Sequence, residues 1–337
     1  MLVSEVRRMS KIKRGILFIV ILAVFLLASS VGMEYYVVHQ LNGEVTGRNR
    51  PFAALTVEPE DTLDLLVAGD SESYNSVSTM RLWEDKGIAA YDCGQGAQRI
   101  PETYYMLKHA FKKQSPKIVI LETNTLFRDI GAVKSTQEIL TQAGQYYLPV
   151  FRYHNLWKTV VDEPEMHTNY KGFVIRDEVD PYEGKTDYMK KKKKCETMPE
   201  YVKVYLEKIE ELCEENDAQF LLVSMPSPKN WNHKRHAEIQ KYADGKGITY
   251  LDLNKKVEEL GLNWAEDTQD KGDHLNVYGA EKVTSYLGNY LEENYELEDH
   301  RNDPTYEAWN QLAEQYKQNL ARIQGKIEVA KETGVGK

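Results

Sequence analysis

The sequence predicts an α/β protein built on a parallel, doubly wound sheet and preceded by one membrane-spanning helix. Three observations carry this expectation. An uncharged apolar stretch lies near the amino terminus. Short apolar runs alternate with helical stretches between residues 63 and 291. The run Lys117–Glu122 (KIVILE) is apolar between its charged ends, as expected of a strand covered on both faces.

At 337 residues the chain is long enough for one large domain or two smaller ones, and 42% hydrophobic with 28% charged content is that of a globular protein. The net charge is −9. Residues 1–14 hold five basic side chains against Glu5 alone, so the remainder is more acidic still. Such a body is a poor counterion for nucleic acid, and that class of partner is set aside. Cys93, Cys195 and Cys213 are too few for a disulfide framework and lack the paired spacing of a zinc site.

From Gly15 to Met33 (GILFIVILAVFLLASSVGM) there is no charged residue. At ~1.5 Å per residue this run comes close to a ~30 Å hydrocarbon core. Basic residues cluster before it and are absent just after it, which places residues 1–14 in the cytoplasm and the rest outside. Ala28-Ser29-Ser30 also offers the small residues of a signal cleavage site. The apolar run is longer than a usual signal h-region, so an uncleaved anchor over 15–33 is preferred. Residues 34–60 read as a stalk, because Asn49, Arg50 and Pro51 interrupt any periodicity.

The folded domain is expected over 61–297. Its strands are Leu63–Ala68, Ile88–Cys93, Lys117–Glu122, Gln219–Met225 and Ile248–Leu253. Helices follow to about Lys86, over Ile100–Lys113, 199–216 and 231–243, and last over Val277–Leu291. Strands alternating with helices at this spacing indicate parallel crossovers. Ligands of such sheets bind outside the carboxyl ends of the strands, so strand-terminal loops are where chemistry is sought. An insertion over 125–198 stands outside the pattern and holds Tyr147, Tyr153, His154, Trp157 and the run Lys190–Lys194. That run reads as a solvated segment, with contact to an anionic lipid or cell-wall polymer as the alternative. In the tail, 298–337, Trp309, Leu312, Tyr316, Leu320 and Ile323 recur at helical spacing, which predicts a helix docked on the body or on a partner.

Three loops carry the chemistry. Val67-Ala68-Gly69-Asp70-Ser71 ends an apolar strand in Gly-Asp-Ser and places Ser71 at the start of the next helix, where backbone N–H groups favour negative charge. On its own such a serine is an ordinary helix cap. Asp273-His274-Leu275-Asn276 lies just before the last helix. A serine hydroxyl needs an imidazole to take its proton, and the imidazole needs a carboxylate to fix its tautomer. His274 is the candidate base, and Asp270 and Asp273 are the two candidate carboxylates, with Asp270 preferred. The third strand runs into Thr123-Asn124, and the second ends at Cys93-Gly94-Gln95-Gly96. Asn124, one of Gly94 or Gly96, and the Ser71 amide are therefore the candidate oxyanion donors. His233 and His236 sit three apart on a helix without an evident third ligand, so no metal site is assigned. The 22 tyrosines fit a glycan-stacking surface or, more simply, ordinary packing.

Gly-Asp-Ser after the first strand, glycine after the second, asparagine after the third and histidine before the last helix together resemble the SGNH (GDSL-like) hydrolase family, over residues 63–292. The resemblance implies a flavodoxin-like three-layer α/β/α fold, no cofactor, and ester hydrolysis or acyl transfer through an acyl-serine. Lys271 stands where the family pattern puts its aspartate, three residues before the histidine. Asp270 fits if the loop carries one extra residue. Tyr153-His154-Asn155-Leu156-Trp157, Tyr170-Lys171-Gly172-Phe173 and Pro226-Ser227-Pro228-Lys229-Asn230-Trp231 are similar to a membrane-anchored branch. That branch includes the D-alanyl-transfer protein of teichoic-acid modification and the SGNH-type polysaccharide O-acetyltransferases. It implies a cell-surface polysaccharide or teichoic-acid-like acceptor and a multi-pass membrane-bound O-acyltransferase as partner. A plain esterase, deacetylase or lysophospholipase is the nearest alternative, and a non-catalytic assembly subunit of the same fold is the next.

Overall fold

The computed structural model describes residues 10–45, 47–156, 169–192 and 195–333, with side chains to residue 325. Trp157, Lys193, Lys194 and most of the basic segment 1–14 lie outside the described residues.

Five parallel strands form one sheet: β1 (Leu65–Ala68), β2 (Ala90–Asp92), β3 (Ile118–Glu122), β4 (Gln219–Ser224) and β5 (Thr249–Asp252). Their order is β2-β1-β3-β4-β5, so the winding reverses between β1 and β3. The register pairs Val67 with Asp92 on one side and with Ile120 on the other. This is the flavodoxin-like order, and it opens a crevice at the carboxyl ends of β1 and β3.

Alternation along each strand divides the core in two. Leu66, Ala68, Val119, Leu121 and Leu222 face the layer holding α5 (Ile100–Ala110), α8 (Glu200–Glu214) and α9 (His233–Lys246). Leu65, Val67, Ile118, Ile120, Leu221 and Val223 face α4 (Thr79–Lys86) and α10 (Val277–Asn294). Each such side chain fully withdrawn from water contributes roughly 1.5–3 kcal/mol, so both faces of the sheet hold helices in place. The three-layer α/β/α architecture is the one expected.

The amino-terminal segment differs from the expected plan. Helix α1 spans Lys11–His39, well beyond Met33, and is capped by Ser10. Among the described residues it is the one helix long and apolar enough to cross a membrane, and its apolar side chains face outward. Residues 34–60 are not a loose stalk. Helix α2 (Arg50–Val57) is part of the body, with Phe52, Ala53, Ala54 and Leu55 buried. Pro51 sits in its first turn, where a missing N–H leaves nothing unbonded, and Asn49 takes a left-handed φ of 76° to turn the chain into it. Val37 of α1, Val45, Ala53, Tyr153 and Leu156 form a small core that joins α1 to the body.

Among its described residues the insertion holds α6 (Gly131–Tyr147) and α7 (Pro149–Arg152), and its Tyr170–Phe173 turn lies along the free edge of β2, where the Asp92 amide donates to the Lys171 carbonyl at 2.9 Å. Gly172 takes a φ of 96°, and a Cβ there would lie 1.9 Å from the Asp92 carbonyl oxygen, so only glycine permits this approach. Helix α11 (Glu307–Thr333) docks on the body as the helical spacing predicts, with Trp309 packed on Trp83 and Tyr316 buried. All three cysteines are free, Cys93 and Cys213 buried and Cys195 exposed.

Candidate active site

The crevice where the winding reverses receives the turn after β1. Gly69 follows the strand, and a Cβ there would meet Glu122 Cβ at 2.6 Å, so the glycine lets the ends of β1 and β3 close up. Asp70 then caps the short helix α3 (Ser71–Tyr74), its Oδ1 accepting the Glu72 amide at 2.9 Å. Ser71 is the first helical residue, a position whose N–H has no intrahelical acceptor and points outward.

The loop before α10 brings the other partners. His274 Nε2 lies 2.8 Å from Ser71 Oγ. His274 Nδ1 lies 2.6 Å from Asp270 Oδ2, and Asp270 Oδ1 accepts the His274 backbone amide at 2.6 Å. One carboxylate thus fixes both the ring and the backbone of the histidine. The extra residue is absorbed by a left-handed pair, Lys271 at φ 60° and Gly272 at φ 84°. The Gly272 amide donates to Thr268 Oγ1 at 2.7 Å, which anchors the turn.

Asp273 does not reach the ring in that way. Its Oδ1 accepts from the Asn230 amide, which also donates to Glu72 Oε1. Glu72, Asp273 and His274 are close enough to suggest a cation site, but the two Asn230 hydrogens already fill the space between the carboxylates. Ser227 Oγ donates to the Asp273 carbonyl at 2.8 Å and accepts the Asn230 amide at 3.2 Å. The Pro226–Trp231 stretch therefore ties the histidine loop to the serine helix.

The candidate oxyanion donors separate into two kinds. The Gly94 N–H is committed to Asp92 Oδ1 at 2.7 Å, and a Cβ at Gly94 would lie 2.1 Å from Ser73 Oγ. Gly94 is therefore a close-packing residue, and the expectation that it offers a free amide is corrected. Gly96 lines a cavity of about 450 Å³ beside Tyr74, and its amide has no acceptor among the described residues. Asn124 is 7% exposed; its amide donates to Asp70 Oδ2 at 3.0 Å and its Oδ1 accepts from Arg235 at 2.9 Å. One amide hydrogen of Asn124 is left over for a ligand.

Behind the serine lies a buried acidic group that sequence reasoning missed. Asp70, Glu72, Glu122 and Asp92 are each no more than 1% exposed. Arg128 pairs with Asp70, its Nε donating to Oδ2 at 2.7 Å. Burial, then the nearby Asp70 charge, holds the Glu72 carboxyl well above its usual range; Glu122 is raised by burial, then by Asp70 and Glu72. Burial pushes Asp92 up to about 8, against the hydrogen bonds from Gly94 and Ser73. Arg128 and Arg235 carried no local signal, since their partners lie 58 and 111 residues away. His236 sits 2.8 Å from Asp252, and His233 Nδ1 accepts the Lys192 amide at 3.4 Å.

Fold and site together define an α/β protein of the flavodoxin-like order with a hydrogen-bonded Ser71–His274–Asp270 line at its switch point. No family model matches the chain, and no curated protein matches it. Solved structures that follow the same course include a Bacteroides fragilis protein assigned as an acylhydrolase (12% identity, 74% of this chain and 99% of that one, TM-score 0.41). A GDSL-like lipase from Bacteroides thetaiotaomicron is 12% identical over 73% of this chain and 97% of its own, with a TM-score of 0.39. An acetyl xylan esterase is 15% identical over 67% and 99%, with a TM-score of 0.36. The architecture stands on the strand order and register of this chain's own sheet.

Proposed function

We propose that this protein is a membrane-anchored serine esterase or acyltransferase of the SGNH type, working through an acyl-serine. The observation that carries the reading is the continuous hydrogen-bonded line from Ser71 Oγ through both nitrogens of His274 to Asp270. In the proposed reaction His274 takes the Ser71 proton as Oγ attacks the acyl carbonyl. The oxyanion then accepts from the Ser71 and Gly96 amides and the remaining Asn124 hydrogen. Collapse expels the alcohol, which takes the proton back from His274, and leaves the acyl-serine. A second hydroxyl, activated by His274 in the same way, carries the acyl group off.

That second hydroxyl belongs to water in an esterase and to a polymer in a transferase. We favour transfer to a cell-surface polymer outside the cell, with a multi-pass O-acyltransferase delivering the acyl group. The apolar helix α1 and the small core binding it to the body support a site held near a membrane surface. The Lys271–Gly272 turn lets Asp270 reach His274 despite the extra residue, which supports the enzyme reading over a non-catalytic subunit.

The full chain in neutral detergent, mixed with 4-nitrophenyl acetate, is expected to release a burst of nitrophenolate equal to the protein present. Ser71→Ala removes the burst. Acetate then recovered as a new glycan ester identifies transfer, and free acetate identifies hydrolysis. A folded wild-type protein with neither burst nor turnover contradicts the proposal.

A further inference from the structure

Helix α1 is not the only part of the chain that lies at the level of a bilayer. Ser30 sits three residues inside the carboxyl-terminal end of the apolar run Gly15–Met33, ~4.5 Å along the helix from Met33. Leu27 and Val31 beside it are exposed, yet Ser30 is only 4% exposed, and its Oγ accepts the Val150 amide of α7 at 3.3 Å. A cavity of about 340 Å³ brings more of the body to the same height. It gathers Glu34, the first charged residue after the run, with Lys112 just after α5, Tyr146 and Tyr147 of α6 and Pro149 of α7. Two separate contacts therefore set α7 and the end of α6 beside the point where α1 leaves its apolar run.

The side chains at that height have the chemistry of a membrane surface. Helix α6 buries Ser135 and Gln142 and packs Ile139, Ala143 and Tyr146 against the main core. A helix packed on one side ordinarily carries polar residues on the other. Here Leu140 and Tyr147, seven residues apart and so on one stripe, are both well over half exposed, and Phe151 of α7 is exposed as well. A lone exposed apolar residue calls for no explanation, but these converge on the end of the span. Lys112 is exposed and its Nζ stands 4.7 Å from the Tyr146 ring centre, an aliphatic stem laid on an aromatic with the charge outermost. Tyr35, two residues past Met33 on α1, is exposed too. Tyrosines with a lysine beside them are what the headgroup layer selects.

We propose that α7 and the carboxyl-terminal end of α6 rest in the interface of the bilayer that α1 crosses, with Tyr147 and Phe151 at the headgroup–acyl boundary and Lys112 among the headgroups. Lipid is the occupant of this face, because α7 is hydrogen-bonded to a residue within the span's own apolar run. A spanning helix alone leaves the body free to turn about it. A second contact lying on the surface fixes which way the carboxyl edge of the sheet faces. The inference rests on the reading of α1 as a span and not on the chemistry at Ser71.

The test is quenching of a bimane label on the full chain in phosphatidylcholine vesicles, in a Cys195→Ser background whose remaining cysteines, Cys93 and Cys213, are buried. The label is introduced by Phe151→Cys, by Tyr147→Cys and, midway along the span, by Phe25→Cys. A nitroxide carried high on the lipid acyl chain is expected to remove most of the emission at the Phe151 and Tyr147 positions, and aqueous iodide little of it. Emission there that is lost to iodide and untouched by the nitroxide overturns the proposal. Emission shielded from both quenchers overturns it in favour of a protein covering this face. The Phe25→Cys label, read with a nitroxide deep in the chain, separates the two readings. If it is quenched while the other two are not, the span stands and the surface contact falls; if it is not, the span falls and the surface contact with it. Two surface positions, each with a thermal midpoint equal to wild type, keep one misfolded variant from deciding the outcome.

Discussion

Asp270 and Asp273 are three residues apart in sequence and have separate tasks in the structure. Asp270 holds the imidazole, whereas Asp273 is turned to Asn230 and helps join two loops. Asp270→Asn is therefore expected to lower kcat/KM by about 10⁴, the size seen when a triad carboxylate is neutralised. Asp273→Asn keeps an acceptor for Asn230 and is expected to lose about tenfold or less. Steady-state kinetics on a chromogenic acetate separates the two. Asp92 gives a second prediction, on stability. Its native proton is held to about pH 8, while the unfolded chain releases it near 3.8. As pH rises between those values the unfolded state alone ionises, so wild type loses stability. Asp92→Asn has no proton to lose and keeps an oxygen for the Gly94 amide. Denaturant melts are expected to show variant and wild type equal at pH 3.5 or below. The variant's advantage grows up to about pH 8 and is level beyond it.

Helix α2 is the main departure from what the chain suggested. Asn49 and Pro51 mark a break in periodicity, but a proline in a first turn starts a helix as readily as it stops one. The four buried residues Phe52–Leu55 carry too short a pattern to tell from a stalk; Ala53 packs with Tyr153 and Leu156, a hundred residues on, while Phe52, Ala54 and Leu55 join the main core. Phe52 also stacks beneath the Arg152 guanidinium. Phe52→Ala is expected to destabilise the protein by about 3–5 kcal/mol, measured by denaturant unfolding. The strands and their order were legible, because continuous apolar runs such as KIVILE have few other uses. The Ser71, His274 and Asn124 positions were legible for a related reason: each follows or precedes an element that the pattern locates. The packing duty of Gly94 and the ion pairs of Arg128 and Arg235 were not, since they depend on contacts between distant loops.

Taken across the molecule, α1, α2 and the residues between them form one continuous stretch of chain that braces the loop after β2. Arg48 pairs with Glu102 in the first turn of α5 and donates to the Gly96 carbonyl at 2.8 Å, and the Asn49 backbone amide donates to the Gln95 side chain at 2.6 Å. A fragment starting at residue 35 is therefore expected to fold, and one starting at residue 58 to aggregate or melt well below it. Circular dichroism and size-exclusion chromatography distinguish these outcomes, and equal behaviour of the two fragments contradicts the integration of α2.

The account turns on an activated serine at the switch point of the sheet. The most direct measurement is labelling of the full chain by a fluorophosphonate, with the modified residue mapped by mass spectrometry, in wild type, Ser71→Ala and His274→Ala. Stoichiometric label on Ser71, absent from Ser71→Ala and reduced by about 10⁴ in rate in His274→Ala, is the predicted result. An unlabelled, folded wild-type protein, or label that persists unchanged without His274, contradicts it.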